Sequence, residues 1–300
     1  MDQLAYHHIR PLLHPGIDFL VLDKLRVART RRQKLIEDHV LGPTRHRRVF
    51  THAHTARQFL HARHAPLRVP GGKFIFVLTG AGISADSGVP TFRGADGLWR
   101  NFPAEELATP EAFERDPRLV WEWYNWRREL IATKAPNDAH VAVASLESRV
   151  NDFWLITQNV DGLHRAAGST RLSEIHGNIW MVRCTACAAV TNNHQVPLPP
   201  LPCCGQCGGL LRPHIVWFGE SLQKEDLARC SEQLQVCDVL LVIGTSGVVY
   251  PAAGFASIAK ETGACVIEVN LDPTPQSHLV DIALHGRAKD LVPLLLQTGE

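Results

Sequence analysis

The stretch from Lys73 to Trp99, KFIFVLTGAGISADSGVPTFRGADGLW, constrains the fold of this chain more than any other. An apolar run rich in Phe, Ile and Val passes into Gly80, Ala81 and Gly82, and Ser84, Asp86 and Ser87 follow where a helix should start. That order reads as a buried strand turning tightly into a helix N-terminus. Glycines at such a turn let the backbone approach a ligand, and the N–H groups and positive end of a helix favour phosphate oxygens. The expected guest is a pyrophosphate-bearing nucleotide. Because the glycines match Gly-x-Gly-x-x-Gly only in part, the turn alone is weak evidence. Thr91, Phe92, Arg93 and Trp99 follow without hydrophobic period, as suits a loop folded over a cofactor.

The rest of the composition narrows the class. Among 300 residues the net charge is +1, and no apolar run reaches the roughly 18 residues of a membrane span. Without the continuous apolar core of a secretory signal, the expected location is cytoplasmic, or the mitochondrial matrix if the N-terminal block is a transit segment. That block, residues 1–68, is crowded with His and Arg, contains no Ser or Cys, and ends near a Pro-Gly stop at Pro70. It reads as a basic extension of unknown role preceding a domain over residues 69–300. Of eight cysteines, five fall between Cys184 and Cys207. Cys230, Cys237 and Cys265 lie in apolar contexts and read as small buried hydrophobes.

Cys184-x2-Cys187, sixteen intervening residues and Cys204-x2-Cys207 form two knuckles. Four thiolates satisfy tetrahedral zinc completely, so the expected site is structural. Cys203 adjoins Cys204 and competes for the fourth position, although Cys204 keeps the knuckle spacing. A nucleic-acid-binding ribbon is the rival, but the linker VTNNHQVPLPPLP is almost free of the basic residues that phosphates demand.

Around the zinc module the pattern is α/β. Strand-like runs FWLIT (153–157), VLLVIG (239–244) and CVIEVN (265–270) end in small polar residues, Gln158, Asn159 and Asp161, then Gly244, Thr245 and Ser246, then Asn270 and Asp272. Polar residues at the C-terminal edge of an open α/β sheet line its ligand crevice. The fold class expected is a Rossmann-like parallel sheet with helices on both faces, a smaller zinc-binding module at about residues 180–213 and a helical insertion. In that insertion Pro117 starts a helix, and Asn137 or Asp138 caps the next. Tyr124 and Arg127 share one helix face. On periodicity alone Tyr124 reads as core and Arg127 as the partner of an acid. His176, after a short strand and before Gly177, is a general-base candidate because imidazole titrates near neutrality.

These motifs together, GAGISADSGVPTFR, TQNVDGLH, HGN at His176, two cysteine knuckles followed by GGLLRPHIVWFGE, then GTS and the Asn270 segment, resemble the sirtuin family of NAD-dependent protein-lysine deacylases over about residues 72–295. The resemblance implies that NAD is consumed as a co-substrate, with one structural zinc ion. An acylated lysine loses its acyl group, and free lysine, nicotinamide and O-acyl-ADP-ribose are the products. It implies that His176 is the base, supported by Asn159 and Asp161. The NAD site would be lined by Gly80, Ala81, Gly82, Ser84, Asp86, Thr91, Phe92, Arg93, Trp99, Gln158, Asn159, Asp161, Gly244, Thr245, Ser246, Asn270, Asp272 and Ala288. Val216, Phe218 and Gly219 would pair with the substrate peptide as an added strand. The resemblance extends to the subgroup that removes succinyl and malonyl groups, in which Tyr124 and Arg127 read the distal carboxylate and Ala95 leaves room for the longer chain. Acetyl removal is compatible with the same residues. The implied partners are acylated proteins, without membrane or nucleic acid, and the expected state is a monomer. Mono-ADP-ribosyl transfer through His176 and a non-catalytic NAD- or ADP-ribose-binding scaffold are the alternatives.

Overall fold

The computed structural model describes residues 48–50, 74–91, 98–99 and 102–296. Its strands are β1 (Arg48–Phe50), β2 (Ile75–Thr79), β3 (Leu98–Trp99), β4 (Phe102–Pro103), β5 (Phe153–Thr157), β6 (Leu172–Glu174), β7 (Gly177–Cys184), β8 (Val190–Asn192), β9 (Leu211–Ile215), β10 (Val239–Ile243), β11 (Cys265–Asn270) and β12 (Ile282–His285). Its helices are α1 (Ala104–Leu107), α2 (Pro110–Arg115), α3 (Pro117–Ala132), α4 (Asp138–Arg149), α5 (Leu163–Ala166), α6 (Lys224–Val236), α7 (Phe255–Glu261) and α8 (Ala288–Leu296).

Seven strands form one parallel sheet in the order β1-β12-β11-β10-β2-β5-β6. From β2 the chain builds outward through β5 and β6, and it later returns to the other side of β2 with β10, β11 and β12. The strand order therefore reverses between β2 and β10, where an open α/β sheet leaves a crevice beyond its strand ends. The edge strand β1 comes from the basic N-terminal block, and Arg48–Phe50 register with Ile282–Leu284. The remainder of residues 1–68 lies outside the described residues.

Alternation along the strands sends side chains to two faces. Ile75, Val77, Leu241, Ile243 and Ile267 pack against Ala139, Val143 and Leu146 of α4 and Leu291, Val292 and Leu295 of α8. Phe76, Leu78, Leu240, Val242 and Val266 pack against Cys230 and Leu234 of α6 and Phe255, Ala256 and Ala259 of α7. Helices on both faces explain why the strands read as continuous apolar runs. Cys230, Cys237 and Cys265 are buried, as expected of small hydrophobes.

A second core joins the helical insertion to the zinc module. Val120, Trp121, Trp123 and Tyr124 of α3 meet Ile179 and Val182 of β7, Leu211 of β9 and Trp217. Helix α3 starts at Pro117, with the Asp116 carboxylate accepting from the Leu119 N–H at 3.0 Å. Helix α4 is capped by Asn137, while the His140 imidazole accepts the Asn137 N–H in the position a glutamate usually fills.

Candidate active site and metal centre

Between the sheet's C-terminal edge and the second core lies a cleft of about 1000 Å³. Its floor is the switch point. The Gly80 N–H donates to the Ile243 carbonyl at 3.0 Å, and the Gly82 N–H to the Gly244 carbonyl at 2.7 Å. A Cβ on Gly80 or Gly82 would lie 2.8 Å from the Gly244 carbonyl oxygen, and Gly244 itself has φ +61°. The glycines thus let two strand ends touch.

This corrects the expected strand-to-helix phosphate turn. Residues Ala81–Ile83 and Ala85–Ser87 form two short 3-10 turns, and no α-helix starts at Ser84. The Gly80 and Gly82 N–H groups are already spent on neighbouring backbone.

Gly80, Ala81, Gly82, Asp86, Thr91, Gln158, Asn159, His176, Gly244, Thr245, Ser246, Asn270, Asp272 and Ala288 all line the cleft, as do Tyr124, Arg127, Val216, Phe218 and Gly219. Phe92, Arg93 and Ala95 lie outside the described residues, and Trp99 is described only as part of β3. Ser84 and Asp161 are instead buried behind the wall, 0% and 5% exposed. The Ser84 hydroxyl donates to Asp161 Oδ2 at 2.7 Å and accepts from Asn159 Nδ2 at 3.1 Å, so two of the three polar residues just after β5 are anchored by one hydroxyl. His140 Nε2 lies 3.3 Å from the same oxygen. The sequence reading missed His140, although its place three residues after the Asn137 cap was a readable signal.

His176 follows β6 and projects into the cleft. Its Nδ1 lies 3.0 Å from the Gln158 carbonyl, which can only accept. The proton therefore sits on Nδ1 and the lone pair on Nε2. Burial pushes the imidazole pKa below its usual 6.5, against the opposing pull of the Gln158 bond. A neutral base with a fixed tautomer is available at pH 7. Burial pushes the Asp161 carboxyl up, while the Leu163 N–H, the Ser84 hydroxyl and the Arg127 cation hold it down. Asp86 meets Arg287 Nη1 at 3.0 Å on the cleft rim.

At the opposite wall the buried Tyr124 hydroxyl accepts from Trp217 Nε1 at 2.8 Å. Burial raises the Tyr124 pKa to about 12, so it stays a neutral donor. The Arg127 guanidinium sits over the Trp123 ring, 5.1 Å from its centroid, and burial lowers its pKa. In the segment after β9 the N–H groups of Val216, Trp217 and Phe218 donate to the His176 carbonyl, Glu220 and the Ala108 carbonyl. These three N–H groups are therefore occupied within the chain, which the sequence did not show.

The four predicted zinc ligands converge. Sγ atoms of Cys184, Cys187, Cys204 and Cys207 all lie within 4.8 Å of one another, with Cys184 to Cys207 at 3.5 Å and Cys187 to Cys204 at 3.8 Å. Zinc–sulfur bonds of about 2.3 Å place tetrahedral sulfurs about 3.8 Å apart, so the cluster fits zinc and leaves no open position. Equivalent knuckle turns return the Ala188 N–H to the Cys184 carbonyl and the Gly208 N–H to the Cys204 carbonyl, with left-handed φ of 58° and 73°. Exposed Cys203 points its thiol toward the Leu201 carbonyl and is not in the cluster. Among the described residues, no helix is long and apolar enough to cross a membrane.

Comparison with known proteins agrees with this geometry. Residues 80–251 match the model of the Sir2 family. An NAD-dependent protein deacylase of Aquifex aeolicus is 55% identical over 215 residues, 71% of this chain and 90% of that protein. A crystal structure of a Sir2 homologue in complex with NAD superposes with a TM-score of 0.73 at 43% identity, covering 84% of this chain and 94% of that one. A mutant Sir2 homologue in complex with 2'-O-acetyl ADP ribose gives 0.72 at 44% identity, over 80% and 94%. With its zinc-type cysteine cluster and its cleft at the switch point of a parallel sheet, this chain belongs to the Sir2 family, the sirtuins.

Proposed function

We propose that this sirtuin is an NAD-dependent protein-lysine deacylase whose acyl pocket favours succinyl and malonyl groups. Similarity to the deacylase of Aquifex aeolicus and to Sir2 structures holding NAD or 2'-O-acetyl ADP ribose supports the reaction. NAD supplies a glycosidic C–N bond whose cleavage lets the acyl oxygen take the place of nicotinamide. The protein's part is proton handling and positioning. His176 Nε2, with its lone pair toward the cleft, takes a ribose hydroxyl proton. Asn159 and Asp161, anchored by Ser84, keep the loop after β5 in place. The backbone of the Val216–Gly219 segment aligns the peptide as an added strand.

One observation carries the acidic preference: Tyr124 and Arg127 meet on the cleft wall as a neutral hydroxyl donor and a buried guanidinium. A terminal carboxylate placed there accepts from both, and bringing its charge beside Arg127 lowers the cost of burying the cation. An acetyl group leaves that end of the pocket unused. The test compares kcat/KM for succinyl-lysine and acetyl-lysine forms of one peptide at pH 8, for wild type and Arg127→Met. The succinyl rate should fall by about tenfold or more, as for loss of a charged hydrogen bond, while the acetyl rate holds. Equal rates for the two peptides in wild type, unchanged by the substitution, would remove the acidic-pocket reading and leave the deacylase.

A further inference from the structure

Tyr124 owes its usefulness as a donor to a residue on another element. A phenol hydroxyl can donate once, and its direction is set by whatever occupies its lone pairs. Here the indole N–H of Trp217 donates to the Tyr124 oxygen at 2.8 Å. Indole nitrogen is a donor only, so this bond has one polarity. Among the described residues, no acceptor within the chain takes the Tyr124 proton, and Tyr124 lines the cleft.

Trp217 is itself held on every side. Its ring is 2% exposed, lies 3.4 Å beneath the Arg212 guanidinium carbon and packs at 5.2 Å against Phe113. Arg212 is fixed by two bonds to the Glu220 carboxylate, at 2.6 and 2.9 Å. Oxygen Oε2 of that carboxylate also accepts the Trp217 backbone N–H at 2.9 Å. One acid thus fixes both the backbone of Trp217 and the cation stacked on its ring. The indole cannot swing away without breaking the clamp.

We infer that Trp217 is a specificity-determining positioning residue: its indole N–H fills the acceptor side of Tyr124 and commits the Tyr124 O–H to a carboxylate at the end of the acyl group. This inference rests on the acidic-pocket reading and adds a residue that reads the acyl group through another. Without the indole donor, the phenol is free to rotate and to take a water as acceptor. Binding of acidic acyl groups then weakens, and acetyl turnover, which needs no distal donor, does not.

The experiment measures kcat and KM for succinyl-lysine and acetyl-lysine peptides with saturating NAD, using full-length wild type, Trp217→Phe, Tyr124→Phe and the double variant. Trp217→Phe should lower the ratio of succinyl to acetyl kcat/KM by about tenfold, the scale of one lost hydrogen bond to a charge-binding group, on top of any change that the two peptides share through the peptide-binding segment. In the Tyr124→Phe background the same substitution should add nothing. If the smaller ring prevents folding, 3-benzothienylalanine at position 217 keeps the size and removes only the N–H, and the same pattern is expected. Equal losses on both peptides would make Trp217 merely structural, and additive losses in the double variant would show that it does not act through Tyr124. Either overturns the inference. A wild type with no succinyl preference would instead sink the acidic pocket, which separates the two failures.

Discussion

His140 offers a test of how the buried network behind the cleft is protonated. It is the third residue of α4 and has no exposed surface. Because the Asn137 N–H donates to Nδ1 at 3.3 Å, the proton of the neutral ring rests on Nε2, facing Ser84 Oγ. Protonating Nδ1 would aim two N–H groups at each other and place a cation 4.9 Å from the His164 ring. Burial accordingly lowers the His140 pKa from 6.5 to about 4. The unfolded chain takes up this proton as pH falls through 6.5, and the folded chain only near 4. The sign follows: the stability is complete above pH 6.5 and is lost progressively as pH falls toward 4. The gap between those values, at ~1.4 kcal/mol per pH unit, comes to ~3 kcal/mol, a large part of a typical folding free energy. Urea unfolding from pH 7 to 4 should show wild type losing about that much more than His140→Gln, since zinc ligands and carboxylates are common to both. A difference under about 1 kcal/mol would show that His140 is not held neutral.

Three further outcomes are expected. Cys204→Ser should abolish stoichiometric zinc in metal analysis and Cys203→Ser should keep it; loss in both alike would contradict the cluster geometry. Gly244→Ala, at φ +61° with its Cβ 2.6 Å from the Gly82 carbonyl carbon, should cost ~3 kcal/mol or more in urea unfolding, and a loss under about 1 kcal/mol would refute the close approach of the strand ends. Since burial lowers the His176 pKa, kcat/KM should be flat from neutrality upward and fall only below the ordinary histidine range, so an acidic limb centred at pH 7 or above counts against its assignment as base.

What the sequence shows and hides divides along physical lines. The strands ending at Thr157, Ile243 and Asn270 are legible because a run buried on both faces has a one-dimensional signature, and their polar ends mark the crevice without knowledge of its partners. The cysteine knuckles are legible because ligand spacing is local. The glycine turn is legible as part of the cleft, but its 3-10 turns in place of a helix start and the close approach of Gly82 to Gly244 are not, because that contact joins residues far apart in the chain. Trp217 and Tyr124 are 93 residues apart, and no period joins them. Ser84 was placed on the ligand surface when it is the buried anchor of Asn159 and Asp161. Strand β1 spans three residues, too short for any alternation to stand out in the basic block.

Under the proposed function Arg127 has a second route to the chemistry, through Asp161. Burial is the largest influence on that carboxyl and raises its pKa, and Arg127 is one of three groups that oppose it, with the Leu163 N–H and the Ser84 hydroxyl. Replacing Arg127 by Met removes one of the three, so the Asp161 pKa must rise further, and the carboxylate is lost at a higher pH as the solution is acidified. Succinyl peptides would mix this effect with loss of the direct contact. An acetyl peptide has no distal carboxylate, so its pH profile isolates the path through Asp161. The acidic limb of kcat/KM for acetyl-lysine should move to higher pH in Arg127→Met, with the plateau at pH 8 close to wild type. The influences on His176, its burial and the Gln158 carbonyl, are untouched by the substitution. Arg127→Lys keeps a cation and should hold the limb near its original place. Superimposed limbs for wild type and Arg127→Met would mean that the limb belongs to His176 alone, and that Arg127 does not act on the acetyl reaction through Asp161.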